Sequence, residues 1–239
     1  MAALDDAIIL SHLLADPGLD SAILAEGNVS VRDGDRFWVK ASGRRMATAG
    51  PADFSRVDPG PVLAALESEL DDAGVRALLA ASADGPSVET FMHAALLELP
   101  GVETVGHAHP VALLGLLCSD RAEEEAGRRY FPDEVVCCGP SSPCVPYVDP
   151  GLPLARAVRA AALGHAEAWG EPPKTIWLAN HGLIALGKNP ATVESAFAMT
   201  VKAARVRLAG ATRPLTEREI DRIHTRPDEH HRQRALGLR

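Results

Sequence analysis

The sequence is poor in the features that mark several classes of protein. Phe, Trp and Tyr make up 4% of the 239 residues, and Asp and Glu outnumber Lys and Arg by 32 to 24. This negative balance argues against general nucleic-acid binding, because nucleic acids are recognised by basic surfaces. No apolar run reaches the roughly 18 residues of a membrane-spanning helix, and the acidic N-terminus is unlike a secretory signal. We therefore expect a cytoplasmic protein with neither nucleic acid nor membrane as a partner.

Cysteine is also scarce. Of the four cysteines, three fall in the short segment from Cys137 to Cys144, without the paired C-x-x-C spacing of structural zinc sites. We interpret them as buried free thiols in a reducing compartment. His230 and His231 lie in a tail rich in Arg and His, which we interpret as solvated. With 46% apolar and 23% charged residues, the chain is typical of a soluble globular protein with a sizeable core.

The hydrophobic pattern predicts helices and strands without strict β-α-β alternation. Predicted helices cover 4–15, 61–82 with a break at Gly74, 87–99, 111–118, 153–169 and 190–208. Predicted strands flank a hairpin turn at 33–35 and cover 105–109, 134–138, 175–179 and 183–186, while 121–130 is charged and expected to be exposed. This order favours a single α+β domain over 1–239, with a sheet between helical layers and a polar helix and tail at 211–239.

A His-x-His pair is the clearest candidate for chemistry. His107 and His109 lie two residues apart in a predicted strand, so both imidazoles project from one side. Neutral imidazole is a common zinc ligand, and a catalytic zinc site usually has three protein ligands and an open position. His181, at a polar break between two apolar stretches, is the candidate for the third. The alternative is an ordinary packed or exposed histidine pair.

A carboxylate is expected beside these histidines. Ser87 is a plausible N-cap, which places Glu89 in the first turn of a helix and His93 four residues later on the same face. Because this helix ends just before the His-x-His strand, its Glu89 face can turn toward His107 and His109. The alternatives are an ordinary first-turn acid for Glu89, and for His93 a surface residue or one that only supports the site.

Two turns attached to strands carry glycine next to small polar residues. They are Gly27-Asn28-Val29-Ser30 and Ser42-Gly43. Glycine lets backbone amides approach a ligand, and Asn or Ser adds side-chain donors. The pattern suits an anion such as phosphate or carboxylate, although two ordinary turns explain it as well.

Taken together, these motifs resemble the class II aldolase/adducin family over about residues 4–210. The matching segments, in the order that the family has them, are Gly27–Ser30, Ser42-Gly43, Pro86-Ser87-x-Glu89, His107-x-His109, Pro143-Cys144-x-Pro146-Tyr147 and Asn180-His181-Gly182-Leu183. The stretch from Trp38 to Gly43 is most similar to the aldolase portion of longer bifunctional rhamnulose-phosphate enzymes. Their dehydrogenase portion has no counterpart in these 239 residues.

The resemblance implies a three-layer α/β/α fold around a mostly antiparallel sheet, and a homotetramer with active sites at subunit interfaces. It implies that Glu89 is the catalytic acid/base and that the zinc ligands are His107, His109 and His181. The substrate phosphate pocket would be formed by Gly27, Asn28, Ser42, Gly43 and Ser87. Tyr130 lies roughly where a tyrosine of a neighbouring subunit donates a proton in the fuculose enzyme.

We therefore expect a zinc-dependent aldolase that cleaves or forms a C–C bond in a ketose phosphate or related hydroxy-ketone through a metal-stabilised enediolate. Three imidazoles also accept Mn²⁺, Co²⁺ or Fe²⁺. An epimerase, decarboxylase or dehydratase that uses the same site is the alternative. A non-catalytic adducin-like binding module is disfavoured, because the three histidines and Glu89 are all present.

The anion pocket departs from the family pattern. Val88 stands where a second serine is frequent, and Glu26 would repel a phosphate if it pointed inward. Lys40, Arg44 and Arg45 supply compensating positive charge nearby. The substrate is therefore expected to be a sugar phosphate, a hydroxy acid or a hydroxy-ketone. The pocket would hold either a carboxylate or a phosphate placed differently from the family pattern.

Overall fold

The structure is a computed structural model that describes residues 2–81 and 85–227. Its strands are β1 (Asn28–Asp33), β2 (Arg36–Lys40), β3 (Phe54–Val57), β4 (Thr104–Ala108), β5 (Cys144–Val145), β6 (Thr175–Leu178) and β7 (Gly182–Gly187). They form one sheet in the order β3-β2-β1-β4-β7-β6-β5. Only the β5–β6 pair among these strands is parallel. The predicted mostly antiparallel sheet is confirmed.

Helices cover both faces of this sheet. Those in the described ranges are α1 (Ala2–Leu14), α2 (Pro59–Leu66), α3 (Asp72–Ala80), α4 (Thr90–Leu97), α5 (Val111–Leu117), α6 (Ala122–Gly127), α7 (Pro132–Cys138), α8 (Leu152–Trp169), α9 (Pro190–Leu208) and α10 (Glu217–His224). We call the side covered by α2, α4 and α8 the α4 face, and the side covered by α1, α5 and α9 the α9 face. None of the helices described is long and apolar enough to cross a membrane.

The alternation of β4 places its histidine on the α4 face. Val105 belongs to the core under α4 and α8, whereas Gly106 faces α1 and α9. A Cβ at Gly106 would stand 2.5 Å from the Leu14 side chain and 3.0 Å from Val193, so a larger residue does not fit there. Since side chains alternate along a strand, His107 returns to the α4 face.

Helix-end signals in the sequence are confirmed in two places. Helix α9 runs from Pro190 to Leu208 as predicted, and the Asn189 side chain accepts a hydrogen bond from the Thr192 amide at 2.9 Å. Before α10, Thr216 and Glu219 form the predicted capping box. In both cases the cap satisfies amides that the first helical turn leaves without a partner.

Several expectations about local structure are wrong. The strand predicted at 134–138 is helix α7, which begins with Pro132 and carries Asp133 in its first turn. A short apolar run fits a buried strand or a buried helix equally, and here it packs on α9. The break predicted at Gly74 in the helix over 61–82 lies earlier, at 67–71, because the Asp71 side chain starts α3 by accepting from the Gly74 amide. The tail histidines His230 and His231 lie outside the described residues, as do residues 82–84 at the end of the predicted helix.

The third error concerns the charged segment 121–130, which is partly buried. Glu125 and Arg129 are almost inaccessible to solvent. Arg207 of α9 contacts Glu125 at 3.1 Å and Glu134 at 2.8 Å, while Arg129 donates to the Gly139 carbonyl at 2.8 Å. We call Glu125, Arg129, Glu134 and Arg207 the buried ion cluster. Arg207 is 82 residues from Glu125 and 73 from Glu134 in the sequence, so it meets these two carboxylates only in the folded protein.

Candidate metal centre and active site

Two loops at one end of the sheet bring the three histidines together. His107 is in β4, His109 follows that strand, and His181 lies in the turn between β6 and β7. Because β4 pairs with β7, this turn closes against the end of β4. A Cβ at Gly182 would stand 2.6 Å from the His109 ring and 2.7 Å from the Ala108 carbonyl oxygen. Glycine at this position therefore allows the close approach of the two loops.

The ring nitrogens are spaced as metal ligands are. One nitrogen of each of His107, His109 and His181 lies within 4.8 Å of the others, and the Nε2 atoms of His107 and His109 are 3.2 Å apart. Ligand atoms about 2.05 Å from a tetrahedral zinc ion are about 3.3 Å from one another. The donor set therefore fits zinc or a similar divalent ion.

The orientation of the His107 ring agrees with this arrangement. His107 Nδ1 donates to the Leu183 carbonyl oxygen at 2.9 Å, which leaves Nε2 to face the cluster. His181 Nδ1 is buried without a hydrogen-bond partner in the described structure, and its Nε2 also faces the cluster. Beyond His109, a carboxylate oxygen of Glu26 lies 3.8 Å from Nδ1.

Glu89 fills the remaining corner of the histidine cluster. Its Oε1 lies 3.4 Å from His107 Nε2 and 3.3 Å from His181 Nε2, and Oε2 accepts a hydrogen bond from Asn28 Nδ2. Helix α4 begins at Thr90 with Glu89 as N-cap, so the prediction that Ser87 caps this helix is wrong. Ser87 instead accepts from the Glu89 amide at 3.3 Å and holds the start of the turn. The helix begins later than expected, and the carboxylate still reaches the histidines.

The charges in the cluster depend on each other. Burial alone would raise the pKa of Glu89, but the neighbouring His107 and His181 outweigh it and hold that pKa well below its usual range. Burial works against protonation of His107, yet the adjacent Glu89 raises its pKa. For His109, burial followed by repulsion from the other two imidazoles lowers the pKa to about 3. At neutral pH His109 is therefore neutral and Glu89 ionised, which are the states that bind a cation.

His93 is buried behind Glu89, which excludes the surface alternative. Its Nδ1 lies 2.7 Å from Ser30 Oγ, and its Nε2 hydrogen-bonds to Asn28 Oδ1. Burial lowers the pKa of His93 to about 3. Ser30 was not among the predicted site residues, although its position two residues after Asn28 on a strand places both side chains on one face.

The segments of the predicted anion pocket lie next to one another. Ala41 forms a bridge with Pro86, and the Ser42 amide donates to the Gly85 carbonyl at 3.2 Å, so the Ser42-Gly43 turn adjoins the Ser87 segment. The φ angle of Gly43 is +73°. Gly27 also has a positive φ, and a Cβ there would stand 2.6 Å from Met46 Sδ and 2.7 Å from the His107 carbonyl oxygen.

Positive charge near this pocket is already partly engaged. The Lys40 side chain is buried and donates to the carbonyl oxygens of Arg44 at 2.6 Å and Ala25 at 3.5 Å. It therefore ties the segment before Gly27 to the turn after β2. Burial lowers the pKa of Lys40, against the attraction of Glu89 and Asp53. The Arg44 side chain lies 3.4 Å from Asp53.

Tyr130, a predicted site residue, does not lie at the histidines of its own chain. Its hydroxyl donates to Glu125 at 3.0 Å, and the Arg207 guanidinium lies 4.6 Å from its ring centre. Arg207 also lies 5.6 Å from the ring of Trp177, which belongs to the core on the α9 face. Tyr130 is therefore on the opposite side of the sheet from His107 in the same chain.

Two solved structures whose names refer to aldolases have the same fold as this chain. YgbL from Escherichia coli, for which aldolase, epimerase and decarboxylase activities have been put forward, is 20% identical. The superposition covers 94% of this chain and 98% of that one, with a TM-score of 0.70. L-fuculose-1-phosphate aldolase from Thermus thermophilus is 21% identical over 90% of this chain and 100% of that one, with a TM-score of 0.61. At these identities the likeness shows the fold alone.

Two sequence comparisons add to the structural ones. The uncharacterised oxidoreductase YuxG of Bacillus subtilis is 25% identical over 171 residues, or 67% of this chain. The chain spans about a fifth of that relative, because the matched segment is 22% of its length. The family model described as class II aldolase and adducin N-terminal domain matches residues 6–208. From this match and the shared fold, we conclude that the chain belongs to the class II aldolase and adducin family.

Proposed function

We propose that this protein is a zinc-dependent aldolase of the cytoplasm, which cleaves or forms a C–C bond in a ketose phosphate or a related hydroxy-ketone. The observation that carries the proposal is the position of Glu89. One oxygen of its carboxylate lies within 3.4 Å of two converging imidazole nitrogens, and the other is held by Asn28. A group that moves protons is thus held beside a site suited to a Lewis acid.

Each residue of the site has a distinct part in this reaction. His107, His109 and His181 would hold the ion through Nε2. Zinc, when bound, supplies a Lewis acid that polarises the substrate carbonyl and stabilises the negative charge of the enediolate. Glu89 moves the proton at the enediolate carbon through Oε1, because Oε2 is engaged by Asn28.

The substrate is an anion, held where the glycine-bearing turns meet. Ser42, Gly43 and Ser87 would supply donors from two adjoining segments, and the buried Lys40 ammonium adds positive charge. The Glu26 carboxylate would repel a phosphate bound close to His109, because it lies 3.8 Å from the Nδ1 atom of that ring. Its side chain is more than a third exposed, so solvent weakens this repulsion. We therefore place the anionic group on the Ser42 side of the pocket, away from Glu26.

A homotetramer with active sites between subunits completes the proposal. Ile23 and Leu24, beside the Glu26 segment, expose 64% and 72% of their surfaces, which is unusual for side chains of this size. A neighbouring subunit packed there would cover them. That arrangement would also allow Tyr130 of one subunit to serve as proton donor at the site of another, although it lies far from the histidines of its own chain.

Substrate turnover in matched variants tests the proposed reaction. Zinc-reconstituted protein is screened against ketose 1-phosphates and hydroxy-ketones, with release of the aldehyde as the readout. Glu89→Gln keeps the shape of the side chain and should lose about 10²- to 10⁴-fold in kcat, the usual contribution of a general acid or base. Glu103→Gln, on the exposed ion pair with Arg32, is the control and should leave kcat unchanged. Full activity of Glu89→Gln would refute the proposal.

A decarboxylase is the second candidate, and one observation favours it. Glu89 is the group that this chain places among the histidines, whereas Tyr130 lies on the other face. Loss of CO₂ from a β-keto acid needs stabilisation of the resulting enolate and one proton donor, while aldol cleavage also needs a base for the hydroxyl that becomes the aldehyde. Release of CO₂ from a β-keto acid, without aldehyde release from any hydroxy-ketone, would select this reaction instead.

A further inference from the structure

A chain of hydrogen bonds leads from the buried face of β1 to Glu89. Ser30 Oγ meets His93 Nδ1 at 2.7 Å, His93 Nε2 meets Asn28 Oδ1, and Asn28 Nδ2 meets Glu89 Oε2. Ser30 and His93 are completely buried, and Asn28 is 3% exposed. Water therefore cannot replace Ser30, His93 or Asn28 as a partner in this chain of hydrogen bonds.

The direction of each bond follows from the carboxylate. An ionised carboxylate only accepts hydrogen bonds, so the amide group of Asn28 must present Nδ2 to Glu89 and Oδ1 to His93. Oδ1 is itself an acceptor, so the hydrogen must be on His93 Nε2. A neutral imidazole then has a lone pair on Nδ1, and the Ser30 hydroxyl must donate to it. Burial keeps His93 neutral, with its pKa lowered to about 3.

Rotation of the Asn28 amide by 180° would disrupt this chain of hydrogen bonds. A rotated Asn28 amide would place Oδ1 against the Glu89 carboxylate, so that two acceptors face each other without a hydrogen. It would also place Nδ2 against the Nε2 hydrogen of His93. In a buried site, a polar group left without a partner is strongly unfavourable, because no water replaces the lost hydrogen bond.

We propose that His93, with its Nε2 hydrogen directed at Asn28 and its Nδ1 held by the Ser30 hydroxyl, is a positioning residue that fixes the Asn28 amide and through it the Glu89 carboxylate. This inference rests on the proposed function in giving Glu89 the proton transfer. It adds the residues that keep Oε2 engaged and leave Oε1 directed at the histidines. The strand register supports the link, because Asn28 pairs directly with His107 across β1 and β4.

Neutron diffraction from deuterium-exchanged crystals of the zinc-reconstituted protein at pH 7 tests the proposal directly. The expected map has a deuteron on His93 Nε2, none on Nδ1, a Ser30 hydroxyl directed at Nδ1, and the nitrogen of the Asn28 amide toward Glu89. A deuteron on Nδ1 instead of Nε2, or a reversed Asn28 amide, would overturn it. In Ser30→Ala the deuteron should stay on Nε2, because Asn28 Oδ1 still requires a donor, and a deuteron on Nδ1 would contradict the direction derived for the chain of hydrogen bonds.

A matched pair of amide substitutions tests the consequence for Glu89. In His93→Gln the amide nitrogen reaches the place of Nε2, whereas the shorter His93→Asn leaves Asn28 Oδ1 without its donor. We expect His93→Asn to lower kcat about tenfold with little change in KM, the effect of one buried hydrogen bond to a polar group. His93→Gln should remain within about threefold of wild type by the same reasoning. Equal losses in both variants would mean that the imidazole only fills space.

This set of measurements separates two kinds of failure. If no hydroxy-ketone or β-keto acid is turned over, the proposed function fails, and the neutron map still decides whether His93 orients Asn28. If turnover is present and the map shows the opposite tautomer, the positioning role fails alone. Zinc content should be the same in both His93 variants and wild type, because neither substitution removes a ligand.

Discussion

Two groups of buried polar side chains lie on opposite faces of one sheet, and they are arranged differently. In the buried ion cluster on the α9 face, two carboxylates and two guanidinium groups alternate, so the charges cancel within the cluster. On the α4 face, three imidazole nitrogens and one carboxylate oxygen converge, and His107 and His109 meet nitrogen to nitrogen at 3.2 Å. The charges of the buried ion cluster are balanced by one another. The converging imidazole nitrogens and the Glu89 carboxylate would instead be stabilised by a cation bound between them. The buried charges on the α9 face therefore neutralise one another, whereas we propose a catalytic role for those beside the histidines.

The largest effect is expected from breaking the buried ion cluster. Arg207→Met leaves Glu125 and Glu134 without their shared partner, and removal of one side of a buried ion pair typically costs about 3–5 kcal/mol. Chemical denaturation should show a loss of that size in the free energy of unfolding. Arg205→Met, which removes an exposed side chain on the same helix, should change it by less than about 0.5 kcal/mol. A similar loss in both variants would contradict the distinction.

Zinc should stabilise the wild-type protein through the histidine cluster. An ion that binds only the folded state adds about 2.7 kcal/mol at a free concentration of 100 times Kd. Thermal unfolding with and without zinc should therefore show a clear increase in Tm for wild type and for Arg205→Met. His109→Ala should show little increase, and an equal increase in all three proteins would place the ion elsewhere.

The buried His93 predicts how stability depends on pH. Its pKa in the folded protein, about 3, lies below the usual value near 6.5 in the unfolded chain, so the unfolded state binds more protons between these values. Stability from this group is complete above about pH 6.5 and falls by about 1.4 kcal/mol per pH unit as pH decreases toward 3. Metal-free wild type should lose stability more steeply from pH 6.5 to 5 than His93→Gln. Parallel curves would contradict the neutral, buried imidazole.

The smallest effect is expected at Glu26. Its carboxylate is 3.8 Å from His109 Nδ1 and partly exposed, so it supports the ring weakly. Glu26→Gln should weaken zinc binding by less than about tenfold, the low end for groups that support a ligand. It should also strengthen binding of inorganic phosphate, because one repelling charge is removed. Isothermal titration calorimetry with each ion measures both effects, and weaker phosphate binding would show that Glu26 points away from the anion.

The sequence predicts well what depends on near neighbours in the chain. The His-x-His spacing placed two imidazoles on one side of a strand, and the caps at Asn189 and Thr216 marked helix starts that the structure confirms. These signals act over two to four residues. They are visible in the sequence because strand alternation and end-capping are local.

Interactions between distant segments could not be predicted in the same way. Ser30 and His93 are 63 residues apart, and Glu125 and Arg207 are 82 apart, so no spacing rule links them. The apolar run at 134–138 fits a strand by composition and became a helix because it packs on α9. Glu89 is an intermediate case: its helix was predicted to begin two residues too early, and the approach of α4 to β4 still brings the carboxylate to the histidines.

The central claim is that the three histidines hold a metal ion, and zinc content measures it most directly. Wild type and His181→Ala are reconstituted with zinc, dialysed, and analysed by inductively coupled plasma mass spectrometry. The account predicts about one zinc per chain in wild type, as a three-histidine site requires, and loss of that zinc in the variant. Absence of zinc from wild type after reconstitution, or equal zinc in both proteins, would contradict it.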